Sequence, residues 1–205
     1  MYFIKTPGWL KKVYGSYVWD VPVTEKKIFL TFDDGPHPVA TPFVLEQLKR
    51  YNARATFFCI GKNVLAEQAL YRQLQEEGHR IGNHTNNHLN GWRTDTVTYI
   101  SNVAQASRSI ETDLFRPPYG RITKKQGNLL RQKGFRIIMW DVLSGDFDQS
   151  LAPEQCLANV LRKTTAGSII VFHDSQKAFK NLRYALPEVL KQFSADGFTF
   201  EVLFK

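Results

Sequence analysis

Thr31-Phe32-Asp33-Asp34-Gly35-Pro36 closes a β-branched and aromatic run and then breaks the chain. Residues 28–32 predict a strand, and Gly-Pro predicts a turn, so two adjacent carboxylates stand at a strand's carboxyl end. A turn alone accounts for such a stretch, because aspartate and glycine are common there. The chemical alternative is that one carboxylate takes a metal and its neighbour works as a base, the turn letting both enter one pocket.

Beyond this stretch, short strand-like runs alternate with helical patterns. Thr41-Pro42 reads as a cap residue and first-turn proline opening a helix that ends near Tyr51-Asn52. Strands are expected at 55–60, 80–82, 114–115, 136–140, 168–172 and 199–203. Helices are expected at 64–77, stopped by Gly78, and at 96–110, 123–133, 153–163 and 183–193. The alternation predicts an α/β protein with a mostly parallel sheet of about seven strands. Pattern leaves two architectures open, a barrel-like closure and an open doubly wound sheet. In both, chemistry sits at the carboxyl ends of the strands, where Asp33-Asp34, His84 and His173 all fall.

The 205 residues fit one domain, and 43% hydrophobic with 22% charged residues is ordinary for a globular chain. No apolar run is long enough to span a bilayer. The first residues show no secretory pattern, so the cytoplasm is the expected compartment, with peripheral membrane or cell-envelope association as the alternative. Residues 1–27 carry a helix-like aromatic face from Trp9 to Val18 and are expected to pack over the open end of a barrel. Cys59 and Cys156 read as separate buried thiols. The net charge of +8 suits an anionic partner, but the basic residues are scattered and no nucleic-acid motif accompanies them. A solvated basic surface is therefore expected, with no nucleic-acid partner.

Three further stretches carry chemistry. Asn83-His84-Thr85-Asn86-Asn87-His88 sets two histidines four apart, a spacing that on one helical turn puts both imidazoles on the same side. Two histidines and a carboxylate match the protein ligands of a catalytic zinc site with an open position. They also match the facial triad of a non-haem iron oxygenase. In Phe115-Arg116-Pro117-Pro118-Tyr119-Gly120 the prolines stiffen a loop from which an arginine can grip a carboxylate. Ser168-Ile169-Ile170-Val171-Phe172-His173-Asp174 is a strand ending in a histidine placed to act as a general acid. Trp92, Tyr119 and Trp140 are candidates for stacking on sugar, with Trp140 expected inside a strand as a packing residue. His37 is expected at the site rim and His79 at a helix–strand turn.

TFDDGP, NHTNNH, RPPYG, a tryptophan-containing strand and IIVFHD occur in the order and approximate spacing of the polysaccharide deacetylases, carbohydrate esterase family four. The chain resembles that family from about residue 28 to 203. The resemblance implies a distorted (β/α) barrel of about seven parallel strands over residues 28–205. It implies a divalent metal, zinc first, with cobalt, nickel or manganese as alternatives, held by Asp34, His84 and His88. It makes Asp33 the base and His173 the acid, with Arg116 holding Asp33 and Asp146 pairing with His173. The backbone N–H of Tyr119 would help bind an oxyanion. The implied reaction removes N-acetyl, or O-acetyl, groups from a glycan such as peptidoglycan or a chitin-like polymer. A lipid-linked sugar and an inactive glycan-binding relative are the alternatives. The chain departs from the family at Phe147, where tryptophan is usual, at Leu143, where an aspartate is frequent, and at Val171, where leucine is common. Asp141, Asp148 and Asp174 are alternative partners for His173.

Overall fold

The computed structural model describes residues 2–204. Eight strands form one sheet: β1 (Lys27–Asp33), β2 (Thr56–Cys59), β3 (Arg80–Asn83), β4 (Leu114–Phe115), β5 (Arg136–Ile137), β6 (Val142–Leu143), β7 (Ile169–His173) and β8 (Thr199–Phe200). Seven of them run parallel in the order β5-β4-β3-β2-β1-β7-β6 and curl into an incomplete barrel, while β8 pairs with the start of β1. The curled sheet decides between the two architectures in favour of the barrel.

Period-two alternation in the central strands separates the barrel's two faces. Ile28, Leu30 and Phe32 of β1 and Ile170 and Phe172 of β7 pack outward. They meet Val44, Leu45 and Leu48 of α2 (Ala40–Arg50) and Leu182, Leu186 and Val189 of α8 (Phe179–Ala195). Fully burying a side chain such as Phe32 contributes about 1.5–3 kcal/mol. The intervening residues of β1 lie on the inner face, in register with β7 as Phe29↔Ile169, Thr31↔Val171 and Asp33↔His173. Phe29 and Ile169 join Phe58, Leu114, Ile138 and Leu203 in the inner cluster.

The chain before β1 spans the gap between the two ends of the sheet. Val18 bridges Ile138 in parallel just past β5, and Lys5 bridges Val142 of β6 in antiparallel. Between these bridges lies α1 (Gly8–Val13), and Lys5 and Lys11 both pair with the buried Asp141, at 2.5 and 2.6 Å. Edge strands that would otherwise present unpaired backbone are thus covered. Among the described residues no helix is long and apolar enough to cross a membrane.

Several expectations need correcting. The helix expected at 64–77 is two, α3 (Gly61–Ala66) and α4 (Gln68–Glu76), separated at Glu67, whose φ of −118° and ψ of 49° are not helical. Helix α5 (Thr96–Ala106) stops four residues early. Helix α6 (Lys124–Gln132) starts on a capping box, Thr123 with Gln126, and α7 (Pro153–Lys163) has the expected bounds. Helix α8 starts four residues early, at Phe179, and carries Pro187 inside it. Thr41 does not cap α2: Val39 holds that position, and the Thr41 hydroxyl donates to Asp174 at 2.6 Å. The strand at 136–140 ends at Ile137, leaving Trp140 outside it, and the two-residue β6 was not foreseen.

Candidate active site

The carboxyl ends of β1, β3, β4 and β7 meet around a cleft of roughly 890 Å³ lined by Asp33, Asp34, His84, His88, Tyr119 and His173, among others. Asp33 ends β1 facing inward. Its neighbour would point to the opposite face on a continuing strand. At Asp34, however, φ is 81°, and this left-handed step before Gly35-Pro36 turns the second carboxylate into the same cleft. Asn63 secures the turn by donating its amide to the Asp34 carbonyl at 2.7 Å.

His84 and His88 converge without the helical turn expected of their spacing. The segment is a loop in which Thr85 (φ 64°) and His88 (φ 56°) both adopt left-handed backbone. Asparagines hold it: Asn83 Oδ1 accepts from the Thr85 N–H at 2.8 Å, and Asn102 Oδ1 accepts from the N–H groups of Asn86 and Asn87. One donor atom each from Asp34, His84 and His88 lies within 4.8 Å of the others.

The chemistry of this trio fits a cation. His84 Nδ1 lies 2.8 Å from the Arg116 carbonyl, which only accepts, so Nδ1 carries the proton and Nε2 presents its lone pair. Burial pushes the His84 pKa down to about 4, so the ring is neutral. Facing Nε2 at 3.7 Å is the buried Asp34 Oδ1, which also lies 3.1 Å from His88 Nε2. Burial alone would raise the Asp34 pKa, but His88, His173 and His84 together hold it well below the usual carboxylate range. Two lone pairs aimed at one point, one on an anion, are the arrangement that a divalent cation satisfies. His88 Nδ1 is 3.1 Å from the Tyr119 hydroxyl, which orients that ring as well.

Arg116 runs through the barrel interior with no exposure. Its Nη1 donates to Asp33 Oδ1 and to Thr31 Oγ1, both at 2.7 Å, and Nη2 donates to the Met139 carbonyl at 2.8 Å. The guanidinium lies 4.1 Å from the Phe58 ring centroid. Gly82 makes room for that ring: a Cβ there would come within 2.3 Å of Phe58. Asp33 is 3% exposed, so its charge and that of Arg116 are held together away from water.

Asp146 is the aspartate that faces His173. Its Oδ1 lies 2.8 Å from His173 Nδ1, and Oδ2 accepts the His173 backbone N–H at 2.7 Å. Burial works against a charged imidazole, but Asp146, with help from Asp34 and Asp33, lifts the His173 pKa to about 9. The other three aspartates are engaged elsewhere: Asp141 with Lys5 and Lys11, Asp148 with Tyr2 and Ser150, and Asp174 with Thr41 and the Gly35 N–H. Phe147 contacts His173 edge-on at 5.2 Å between centroids. Leu143 and Val171 also line the cleft.

Tyr119 stands at a left-handed corner (φ 60°, followed by Gly120 at 63°), and its backbone N–H has no acceptor among the described residues. Trp140 lines the cleft rather than packing within a strand, and Trp92 lines it too. His37 is not among the residues that line the cleft; its Nδ1 accepts the N–H groups of Val39 and Ala40 at the start of α2. His79 precedes β3 in the expected turn, where burial lowers its pKa to about 4. Sequence reasoning missed Thr31, which supports Arg116, and Asn83 and Asn102, which shape the histidine loop. Thr31 was accessible in principle, because it shares the inner face of β1 with Asp33. The asparagines gave no signal beyond turn propensity.

The family description "Polysaccharide deacetylase" matches residues 20–138. A peptidoglycan-N-acetylglucosamine deacetylase of Bacillus cereus is 33% identical over 192 residues, covering 91% of this chain and 90% of that protein. A chitooligosaccharide deacetylase of Azorhizobium caulinodans is 36% identical over 161 residues, covering 73% and 74%. In three dimensions, a peptidoglycan N-acetylglucosamine deacetylase solved with 4-naphthalen-1-yl-N-oxidanyl-benzamide superposes with a TM-score of 0.85 at 29% identity, covering 97% and 95%. The curled sheet, the order of the motifs and these likenesses agree: the chain belongs to the polysaccharide deacetylase family.

Proposed function

We propose that the protein is a metal-dependent hydrolase that removes acetyl groups from N-acetylated amino-sugar glycans of the peptidoglycan or chitin-like class. The observation that carries this reading is that Asp33 and His173, register partners on β1 and β7, open into the same cleft as the Asp34–His84–His88 trio. A base and an acid thus stand beside one candidate metal centre.

Asp34, His84 and His88 would hold the cation. Two imidazoles, one carboxylate and a remaining open position favour zinc, with cobalt, nickel or manganese as alternatives. Bound there, such an ion supplies Lewis acidity, which lowers the pKa of water toward ~7 and polarises a carbonyl. Asp33 takes the proton of the attacking water, and Arg116, donating to its Oδ1, aims the carboxylate. The unpaired N–H of Tyr119 donates to the oxygen on which negative charge develops. His173, protonated and oriented by Asp146, delivers a proton to the departing nitrogen, so the amide and one water become a free amine and acetate. Amine is a poor leaving group unless protonated, which is why a cationic imidazole belongs at this position.

Acetate release from chito-oligosaccharides and peptidoglycan fragments tests the reading. Chelator-treated protein is expected to lose activity and to regain it on adding zinc. Undiminished release from demonstrably metal-free protein would refute the assignment.

The acid role predicts a pH effect. His173 must be protonated to donate, so its contribution lasts up to about pH 9 and falls above it. Asp146→Asn removes the charge that opposes desolvation, so the alkaline limb of the kcat profile moves to lower pH. The same pair contributes stability that is fully present below the unfolded imidazole pKa of ~6.5 and is lost as pH rises through about 9. An alkaline limb that stays in place in Asp146→Asn would take His173 out of the proton-donor role.

A further inference from the structure

The charges around the cleft are one-sided. Its two carboxylates, Asp33 and Asp34, face Arg116 and the imidazoles, whereas Arg93, Arg121 and Lys177 also line it and form no ion pair among the described residues. Lys177 lies 5.8 Å from the Phe147 ring and is near enough to Asp148 to lower that group's pKa. Arg93 and Arg121 have no such neighbour among the described residues.

Arg121 is built in. Its guanidinium carbon lies 4.0 Å from the Trp92 ring centroid. Trp92 is 58% exposed, yet it is tied down by its indole N–H to the Ile122 carbonyl at 3.1 Å and by its backbone N–H to Asn90 Oδ1 at 3.0 Å. The Gly91 N–H donates to the Arg121 carbonyl at 3.0 Å, joining the two loops. A large aromatic ring held rigid on the surface and a guanidinium stacked on it have already lost much of the freedom that binding would otherwise take away. The guanidinium's five donors meet no protein acceptor among the described residues. This pair also borders a second cavity of roughly 400 Å³, whose lining includes Trp9 and Tyr14 and shares Tyr119 and Trp140 with the cleft. It therefore stands where the cleft and this second cavity meet.

We propose that Arg121, stacked on Trp92 and assisted by Arg93 and Lys177, is a specificity subsite for an anionic group, carboxylate or phosphate, carried by the glycan beside the N-acetyl group that is removed. The proposal rests on the deacetylase reading and narrows its substrate class. A planar fork of donors matches either anion bidentately, and the field of three cations draws it in.

Three tetrasaccharides of equal length test it: neutral chitotetraose, the same chain with lactyl-ether carboxylates on alternate sugars, and the same chain bearing a 6-phosphate. Dissociation constants are read by calorimetry on zinc-loaded Asp33→Asn protein, and acetate release is followed with the unsubstituted enzyme. At least one anionic probe is expected to bind about tenfold or more tighter than the neutral one, the better of the two identifying the anion. The preference should shrink as salt is raised. Arg121→Gln should remove most of the anionic-to-neutral ratio, and Arg121→Lys should keep part of it. Equal affinity for all three probes, or an equal loss for all three in Arg121→Gln, overturns the proposal. An anionic preference without acetate release from any probe would instead sink the deacetylase reading and leave the subsite standing.

Discussion

Asp33→Asn lowers kcat for acetate release by about 10³-fold, the middle of the range for a positioned acid or base. The substitution is nearly isosteric, and Oδ1 can still accept from Arg116 Nη1, now 2.7 Å away. What disappears is the capacity to accept the proton of the attacking water. Metal affinity should change far less, because the candidate ligands are Asp34, His84 and His88. Steady-state kinetics beside a zinc titration separates the two effects. A variant that turns over at more than a tenth of the original rate would remove Asp33 from proton transfer.

The second large effect is on stability. Arg116→Met leaves a buried carboxylate without its counter-charge, and breaking such a pair from one side typically costs about 3–5 kcal/mol. Thr31 Oγ1 and the Met139 carbonyl lose their donor as well. For a chain of this length that corresponds to a fall in Tm of about 10 °C. Thermal unfolding of the zinc-loaded proteins reads it. The double variant Arg116→Met with Asp33→Leu should recover part of the loss, because the stranded charge is gone. A Tm within 2 °C of the parent for Arg116→Met would show that the pair has little to do with stability.

Much of this was visible in the chain itself. The inner and outer faces of β1 follow from alternation in residues 28–33, and the parallel sheet follows from strand–helix repetition. Elements of two residues, such as β6, carry too few side chains for any period to show. Closure of the barrel depends on how strands twist and on what bridges the two sheet ends, and neither appears as a local pattern. The candidate site divides in the same way. Its residue types stood in the motifs, and the likeness to a family supplied roles. The spacing of His84 and His88 suggested a helix, whereas the two imidazoles meet through left-handed backbone at Thr85 and His88. That conformation is imposed by Asn83 and Asn102, and Asn102 lies on a helix remote in sequence. Tyr119 also makes a contact that the sequence did not suggest, its hydroxyl lying 3.1 Å from His88 Nδ1.

Asp33 and His173 occupy one rung of the ladder between β1 and β7. Neighbouring strands are spaced by backbone hydrogen bonding at about 4.8 Å, and residues opposite one another project to the same side. On the proposed roles, the interval between proton acceptor and proton donor is therefore set by the peptide backbone of two neighbouring strands inside the sheet. Loops around the rim can drift and change which saccharide is admitted without retuning the reaction, so selectivity and chemistry are free to evolve on separate clocks.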